Sequence, residues 1–188
     1  MITLSQGSDF NFMDLDLRYI RHRGLISKIV LPITRWLRAA NAQRYVKKGE
    51  RLLDIGCGDG YFLKKNRTKF TELIGVDRLL GDKIEKKLAL PDENFDCVTM
   101  LAVIEHLDYP WEIIEEIRRV LKPGGLLIFT TPKHSAEWLI NLYVKEIHDE
   151  HKNYFNIESV RKKAIGFRLV DYRTFILGLN QVFCLEKL

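Results

Sequence analysis

Residues 52–62, LLDIGCGDGYF, decide the fold of this chain because they join a short apolar run to three glycines at alternate positions, Gly56, Gly58 and Gly60. A glycine-rich turn that follows a strand and precedes a helix is where doubly wound α/β folds hold a nucleotide against bare backbone. A tight strand-to-helix turn needs only one glycine. Three glycines therefore indicate a ligand site at this bend.

Three further apolar runs predict the strands that accompany the bend: residues 72–77, 95–101 and 126–131. Such nearly continuous runs suit strands that are buried on both faces of a parallel sheet. Amphipathic helical segments lie between them, most clearly at residues 110–121. The alternating tail, residues 167–188, predicts an antiparallel C-terminal hairpin at one sheet edge. Together these patterns predict an α/β fold with a doubly wound, mostly parallel sheet.

The composition is that of one ordinary globular domain, with 188 residues of which 46% are hydrophobic and 29% charged. We expect residues 1–188 to form a single domain with an N-terminal helical cap (1–48) and a cofactor-binding core (49–188). No apolar run approaches the ~20 residues that cross a bilayer, and the first residues lack the pattern of a signal peptide. The three cysteines are far apart in sequence, which favours reduced thiols and a cytoplasmic location.

Positive charge is concentrated in residues 18–48, which contain no Asp or Glu. We interpret this region as two helices, the second of which opens at Pro32 and turns Ile33 and Trp36 toward the core. Its bases form either solvated helix faces or a basic surface for an anionic ligand, nucleic acid or a membrane. The bases are Arg18, Arg21, Arg23, Lys28, Arg35, Arg38, Arg44, Lys47 and Lys48.

Acidic residues at the bend restrict the kind of ligand. Asp54 and Asp59 would repel the pyrophosphate of a dinucleotide, and the glycine spacing G-x-G-x-G departs from the dinucleotide pattern G-x-G-x-x-G. Asp77 ends the second strand, where an acid can accept hydrogen bonds from both hydroxyls of a ribose. A ligand with a ribose, no phosphate and a cationic amino-acid end satisfies these conditions, and S-adenosylmethionine is such a molecule. Nicotinamide-dependent redox chemistry is disfavoured on the same grounds.

From residue 51 to residue 132 the sequence resembles the class I S-adenosylmethionine-dependent methyltransferases of the small-molecule type, similar to those that act on quinone precursors and sugar-like metabolites. The stretches that carry the resemblance are LLDIGCGDG with IGVD, then LPDENFDCVTMLAVIEHL, then EEIRRVLKPGGLLIFTTP, in family order. The resemblance implies a class I methyltransferase-like fold, S-adenosyl-L-methionine as cofactor, and methyl transfer to O, N or C of a small metabolite. The basic N-terminal region allows that acceptor to be anionic or lipid-linked.

The resemblance also implies roles for individual residues at the cofactor. Asp54 would lie near the ammonium group of S-adenosylmethionine, Asp77 would bind the ribose hydroxyls, and Arg78 would lie against the adenine. The remaining implied cofactor contacts are Gly56, Cys57, Gly58, Gly60, Leu101 and Ala102.

The candidate catalytic residues are His106 and His151. By the resemblance, Glu105 and His106 would face the substrate side of the pocket. His106 follows the end of a central strand, where ligands of such sheets bind, and could accept a proton from the acceptor. The alternative is a structural role, in which Glu105 and His106 only satisfy backbone groups at a helix start. By the same resemblance His151 would border the acceptor pocket. The motif HDEH at 148–151 contains metal-ligand types, but no third cluster accompanies it, so we interpret it as a solvated loop and expect no metal.

One departure from the family pattern concerns the segment between Asp77 and Phe95, which is too short for the usual strand and helix. We therefore expect the third strand and its helix to be missing or vestigial, which leaves the adenine side of the pocket open. Ile84 takes the position of the acid that usually meets the adenine amino group, and Asp82 is the nearest substitute.

Two other functions remain open from the sequence. An RNA methyltransferase would use the basic helices to bind phosphates, although no recognisable RNA-binding module is present. A non-catalytic scaffold of the same fold would explain the shortened segment, but it would not need Asp54, Gly56, Gly58 and Asp77 together. An enzyme with a small-molecule acceptor accounts for all of these residues.

Overall fold

Helices and strands alternate along most of the chain, in the order that the apolar runs predict. The computed structural model describes residues 1–5, 25–78, 81, 84, 87–136 and 152–188. In chain order the elements are β1 (Ile2–Ser5), α1 (Leu25–Gln43), β2 (Gly49–Ile55), α2 (Tyr61–Asn66), β3 (Phe70–Val76), β4 (Phe95–Leu101), α3 (Pro110–Val120), β5 (Leu121–Pro132), α4 (Ile157–Lys163), β6 (Phe167–Phe175) and β7 (Asn180–Lys187). Short 3-10 turns lie at Ile104–His106 and His134–Ala136.

The strands form one sheet in the order β1-β3-β2-β4-β5-β7-β6. The four strands β3, β2, β4 and β5 are parallel neighbours, whereas β7 pairs antiparallel with both β5 and β6. The predicted α/β class and the antiparallel C-terminal hairpin at a sheet edge are therefore confirmed. In such a sheet the carboxyl ends of β2, β3, β4 and β5 lie along one edge, which is where ligands of open α/β sheets bind.

The edge of β3 carries a strand that the sequence did not predict. The described residues between β3 and β4 contain no strand, in agreement with the expected loss of the third strand and its helix. β1 pairs with β3 instead, antiparallel, from Ile2 opposite Gly75 to Ser5 opposite Glu72. Four residues beside a polar segment show too little periodicity to predict a strand. The pairing with β1 satisfies backbone N–H and C=O groups that β3 would leave unpaired as an edge strand.

Helix α1 differs from the expectation at Pro32, which lies inside the helix rather than at its first turn. A proline there removes one backbone hydrogen bond, at a cost of about 3 kcal/mol, which packing of the following turns offsets. Those turns bury Ala39 and Ala42, whereas Ile33 and Trp36 are 52% and 53% exposed, so their expected core-facing position is wrong. Small side chains on the buried face let α1 approach the sheet closely.

The core lies on both faces of the sheet, as the unbroken apolar runs predict. Leu52 and Leu53 are adjacent in β2, both are completely buried, and they belong to separate hydrophobic clusters on opposite faces. Ile113 and Ile117 of α3 cover one face. Ala39 of α1 packs on the other. Within the part of the chain that the structure describes, no helix is long and apolar enough to span a membrane.

Candidate functional site

The glycine bend after β2 contains one glycine that packing requires and one that faces open space. Gly56, Gly58 and Gly60 all have positive φ angles, of 74°, 53° and 72°. A Cβ atom added at Gly56 would lie 2.1 Å from Val103 Cγ2, so this glycine lets the loops after β2 and β4 approach each other. A Cβ atom at Gly58 would meet no described atom within 4 Å. The bend therefore leaves room for a ligand directly above Gly58.

Asp77, at the carboxyl end of β3, is fixed against this bend. The Gly58 N–H donates a hydrogen bond of 2.8 Å to Asp77 Oδ2, and Asp77 is 9% exposed. A carboxylate that is held by a backbone N–H keeps one defined orientation. The residue predicted to bind ribose thus lies beside the open space at Gly58.

Asp54, the last residue but one of β2, is buried next to a second acid. It is 3% exposed, and the Thr99 hydroxyl donates a 2.6 Å hydrogen bond to Asp54 Oδ1. Burial raises the pKa of Asp54 to about 7; the bond from Thr99 opposes this rise and the negative charge of Asp77 adds to it. Two acids in one crevice favour a cationic ligand, because a positive charge relieves their mutual repulsion.

Asp59 has a different role from the one that the sequence suggested. Its carboxylate forms a 2.5 Å ion pair with Arg35 of α1, and the Arg35 guanidinium also lies 4.4 Å from the centre of the Tyr61 ring. The charge that was expected to favour a cationic ligand is therefore paired within the protein. Asp59 therefore joins α1 to the glycine bend.

The residues after β4 form the opposite wall of the bend. Ala102 has a φ of 59°, which is unusual for a residue other than glycine, and its N–H donates to the Thr130 carbonyl at 2.9 Å. Leu101 and Ala102 are partly buried, and Val103 contacts Gly56. Such strain at the end of a central strand is frequent at functional sites.

The other predicted cofactor residues are placed as follows. The Cys57 side chain is buried beside β3, where a Cβ atom added at Gly75 would lie 2.6 Å from its sulfur. Arg78 is exposed just beyond Asp77. Ile84 is buried in the core. Asp82 and His151 lie outside the described residues.

The 3-10 turn Ile104–His106 contains a buried acid, Glu105, which interacts electrostatically with the partly buried Arg38 of α1. Glu105 is 1% exposed, and its backbone carbonyl accepts hydrogen bonds from the N–H groups of Lys152 and Asn153. Burial raises the pKa of Glu105 and the positive charge of Arg38 opposes this rise; burial likewise lowers the pKa of Arg38. His106 lies in the same turn and is partly buried. Arg38 was one of nine bases in the sequence, and only the packing of α1 distinguishes it.

A metal centre has no support in the described residues, among which no group of three or more His, Cys, Asp or Glu could hold an ion. The motif at residues 148–151 lies outside them.

Comparisons with known proteins agree with this geometry. A protein-family model described as a methyltransferase domain matches residues 28–171. A ubiquinone biosynthesis O-methyltransferase of Alkalilimnicola ehrlichii is 33% identical, over 54% of this chain and 53% of the relative, so the chain spans about half the length of the curated relatives it matches.

Two solved structures show the same fold. A SAM-dependent methyltransferase from Archaeoglobus fulgidus has a TM-score of 0.66 at 21% identity, with 94% of this chain and 100% of the other covered. Phosphoethanolamine N-methyltransferase 2 of Haemonchus contortus, in complex with S-adenosyl-L-methionine, has a TM-score of 0.61 at 16% identity, with 80% of this chain and 52% of the other covered.

Proposed function

Since the chain belongs to the methyltransferase domain family, the S-adenosylmethionine-dependent methyltransferases of this fold, we propose that it transfers the methyl group of S-adenosylmethionine to a hydroxyl oxygen of a small metabolite. One observation carries the proposal: the Asp77 carboxylate is held 2.8 Å from the Gly58 nitrogen, beside open space over the bend. This arrangement accepts a ribose without a phosphate. The choice of oxygen is supported by the O-methyltransferase relative.

The residues present fit this cofactor. Asp77 accepts hydrogen bonds from the ribose hydroxyls, Gly58 gives the ligand close access to the backbone, and Asp54 attracts its cationic end. Leu101 and Ala102 flank the ligand from the end of β4. When bound, the cofactor supplies a methyl group that its positive sulfur has already activated, and the protein aligns the acceptor and excludes water.

Transfer itself is tested with methyl-labelled S-adenosylmethionine and a fractionated extract of small metabolites. We expect the label to appear in a methyl ether of one fraction, identified by a mass increase of one CH2 group and by its fragmentation. Asp77→Asn should remove the signal. Label in a methylated amine would contradict oxygen transfer, and label in no fraction, from protein that binds the cofactor, would contradict transfer to such metabolites.

The raised pKa of Asp54 leads to a test of stability against pH. Asp54 has a pKa of about 7 in the folded protein, whereas an Asp in the unfolded chain has a pKa of about 4. Between these two pH values Asp54 is protonated in the folded protein and ionised in the unfolded chain. Its contribution to the free energy of unfolding is therefore greatest below pH 4 and falls as pH rises toward 7. We expect Asp54→Asn, which still accepts the Thr99 bond, to unfold in urea with a flatter pH dependence and to be roughly 2–4 kcal/mol more stable than the unliganded wild type at pH 8. Equal slopes for the two proteins would contradict a raised pKa.

We further propose that the protein binds an anionic membrane surface through α1 and meets its acceptor there. Helix α1 exposes Val30, Ile33 and Trp36 by 41%, 52% and 53%. Arg44 and Lys47, just beyond its carboxyl end, are exposed bases. Apolar residues beside bases are typical of helices that lie in a membrane interface.

Vesicles provide the measurement for this surface. We expect the protein to sediment with phosphatidylglycerol vesicles more than with phosphatidylcholine vesicles, and Trp36→Ser with Ile33→Ser to weaken the binding. Glu115→Gln, an exposed change on α3, serves as the control. Equal sedimentation of the double variant and wild type would contradict the surface.

We also propose a reducing compartment such as the cytoplasm. Cys57, Cys97 and Cys184 are all buried and unbridged, and burial raises the pKa of the Cys184 thiol to about 12. Buried thiols of this kind are inert and need no oxidising environment.

A further inference from the structure

We propose that the turn between β6 and β7, residues 176–179, inserts Leu177 into the apolar layer of an anionic membrane. This turn is the hairpin tip. The inference rests on the proposed membrane contact of α1. It adds a second contact element and the orientation of the sheet, whose carboxyl edge then faces the bilayer.

The backbone of the hairpin tip is strained at two apolar residues. Ile176 and Leu177 have φ angles of 52° and 53°, and Gly178 follows at 82°. The Leu179 N–H donates a 3.0 Å hydrogen bond to the Ile176 carbonyl, which closes a reverse turn with Leu177 and Gly178 at its centre. Positive φ at both central residues is typical of the type I′ turn, which favours Asn-Gly. Leucine at the first central position, and a β-branched isoleucine before it, therefore cost stability.

Contact with water does not favour a leucine at this position either. Leu177 is 100% exposed, so its side chain lies outside the packed core of the described residues. Asparagine would relieve the strain in the turn and would also be better solvated. Neither folding nor solvation accounts for Leu177, and residues held in strained backbone conformations cluster at sites of function. An apolar environment outside the protein would accept this side chain.

The hairpin tip lies at the same edge of the sheet as the exposed apolar residues of α1. Asn180, just after the tip, pairs with Pro132 at the end of β5, so the tip extends past the carboxyl edge. Helix α1 ends shortly before the amino end of β2, and Arg35 reaches Asp59 in the glycine bend at the carboxyl edge. The exposed apolar residues of α1 precede or adjoin Arg35, so they lie at that edge as well.

The charge around the hairpin tip favours an anionic lipid as the partner. Residues 131–136 and 172–181, which surround the tip, contain no Asp or Glu and three basic residues, Lys133, His134 and Arg173. The Lys133 N–H donates a 2.8 Å bond to the Leu179 carbonyl, so Lys133 lies directly beside the tip, whereas Arg173 is paired with Asp171. Helix α1 likewise contains bases and no acids. Apolar residues among bases are typical of surfaces that bind the interface of an anionic bilayer.

A fluorophore at the hairpin tip measures insertion directly. Leu177→Cys is labelled at its thiol with the environment-sensitive dye NBD, while the native cysteines are buried and therefore inert. With phosphatidylglycerol vesicles we expect the emission to shift to shorter wavelength and to be quenched by a lipid that carries a nitroxide in its acyl chain. Phosphatidylcholine vesicles should give a smaller shift.

Leu177→Asn separates the membrane contact from folding. Asparagine fits the turn, so we expect this variant to unfold at a higher urea concentration than the wild type. The variant lacks the side chain that enters the bilayer, so its affinity for phosphatidylglycerol vesicles should fall by about tenfold. Sedimentation over a range of lipid concentrations measures that affinity.

Ile165 provides the matched controls. It is 74% exposed and precedes the amino end of β6, on the opposite edge of the sheet from the hairpin tip. Ile165→Cys, labelled in the same way, should keep the emission that it has in water when vesicles are added. Ile165→Asn should bind the vesicles as the wild type does.

The outcomes separate this inference from the proposed function. A label at Leu177→Cys that keeps its emission in water while the protein binds the vesicles would overturn this inference alone. So would an emission shift that appears without lipid and grows with protein concentration, because the tip would then bind a second copy of the chain. Lower stability of Leu177→Asn than of the wild type would show that the leucine serves folding, against the proposal.

Failure of the proposed function has different signs. Wild-type protein that binds no vesicles would overturn the membrane contact of α1 and this inference with it. Failure of the proposed methyl transfer would appear in the binding of S-adenosylhomocysteine, and the expected emission shift at the hairpin tip does not depend on that binding.

Discussion

Asp77→Asn is expected to lower the affinity for S-adenosylhomocysteine by about 100-fold or more. The carboxylate would accept hydrogen bonds from two ribose hydroxyls, and bonds to a charged group contribute about 1.5–3 kcal/mol each, where about 1.4 kcal/mol is tenfold in affinity. The same carboxylate orients the bend through its 2.8 Å bond from the Gly58 nitrogen. Isothermal titration calorimetry measures the loss directly.

Asp96→Asn is the matched control for this change. Asp96 also accepts backbone N–H bonds, from Glu50 and Arg51, but it lies at the amino end of β4, on the opposite edge of the sheet. Burial raises the pKa of Asp96, but the two backbone bonds and the interaction with Lys122 lower it by more. The pKa of Asp96 is therefore lowered, and its ionised form is stabilised. We expect Asp96→Asn to lower the free energy of unfolding and to leave cofactor affinity unchanged. Equal affinities for Asp77→Asn and wild type would show that the ribose is not bound there.

Gly58→Val is expected to abolish cofactor binding while the protein remains folded. The added side chain meets no described atom within 4 Å, so it enters the space assigned to the ligand. A side chain at a positive φ of 53° costs about 1–2 kcal/mol of stability, which a domain of this size tolerates. Calorimetry with S-adenosylhomocysteine gives the binding, and urea unfolding gives the stability.

Gly124→Val separates backbone strain from loss of the ligand space. Gly124 also has a positive φ, of 74°, and open space around its missing Cβ, but it lies near the amino end of β5, away from the bend. The two variants should lose similar stability, and only Gly58→Val should lose the cofactor. Normal binding by Gly58→Val would mean that the ligand does not approach the bend as we describe.

The central fold was predictable because both its faces are buried. The runs at residues 72–77, 95–101 and 126–131 became strands β3, β4 and β5, since apolar residues without alternation fit only a strand covered on each side. The family assignment and the α/β class are confirmed. By contrast, β1 is a strand because it pairs with β3, and its own four residues show no local pattern that predicts a strand.

The errors in the N-terminal region have a tertiary cause. Pro32 is a strong local signal for a helix start, but α1 extends past it because Ala39 and Ala42 pack tightly on the sheet. Ile33 and Trp36 have the apolar character of core residues and are nevertheless exposed. Periodicity identifies an apolar face, and only the neighbouring elements decide which face is covered.

At the candidate site, the sequence located the bend but could not assign its charges. Asp54, Gly58 and Asp77 were identifiable from their places at strand ends. The pairing of Asp59 with Arg35, and the approach of Arg38 to Glu105, depend on where α1 lies over the sheet. The roles of all the named site residues, His106 and Arg78 among them, stay predictions.

A comparison of two ligands tests the central claim, which is that the acids of the bend select a nucleoside cofactor without phosphates. Wild-type protein is titrated with S-adenosylhomocysteine and, separately, with NADH, by calorimetry under the same conditions. We expect saturable binding of S-adenosylhomocysteine and none of NADH. Saturable binding of NADH that Gly58→Val abolishes, together with no binding of S-adenosylhomocysteine, would contradict the account.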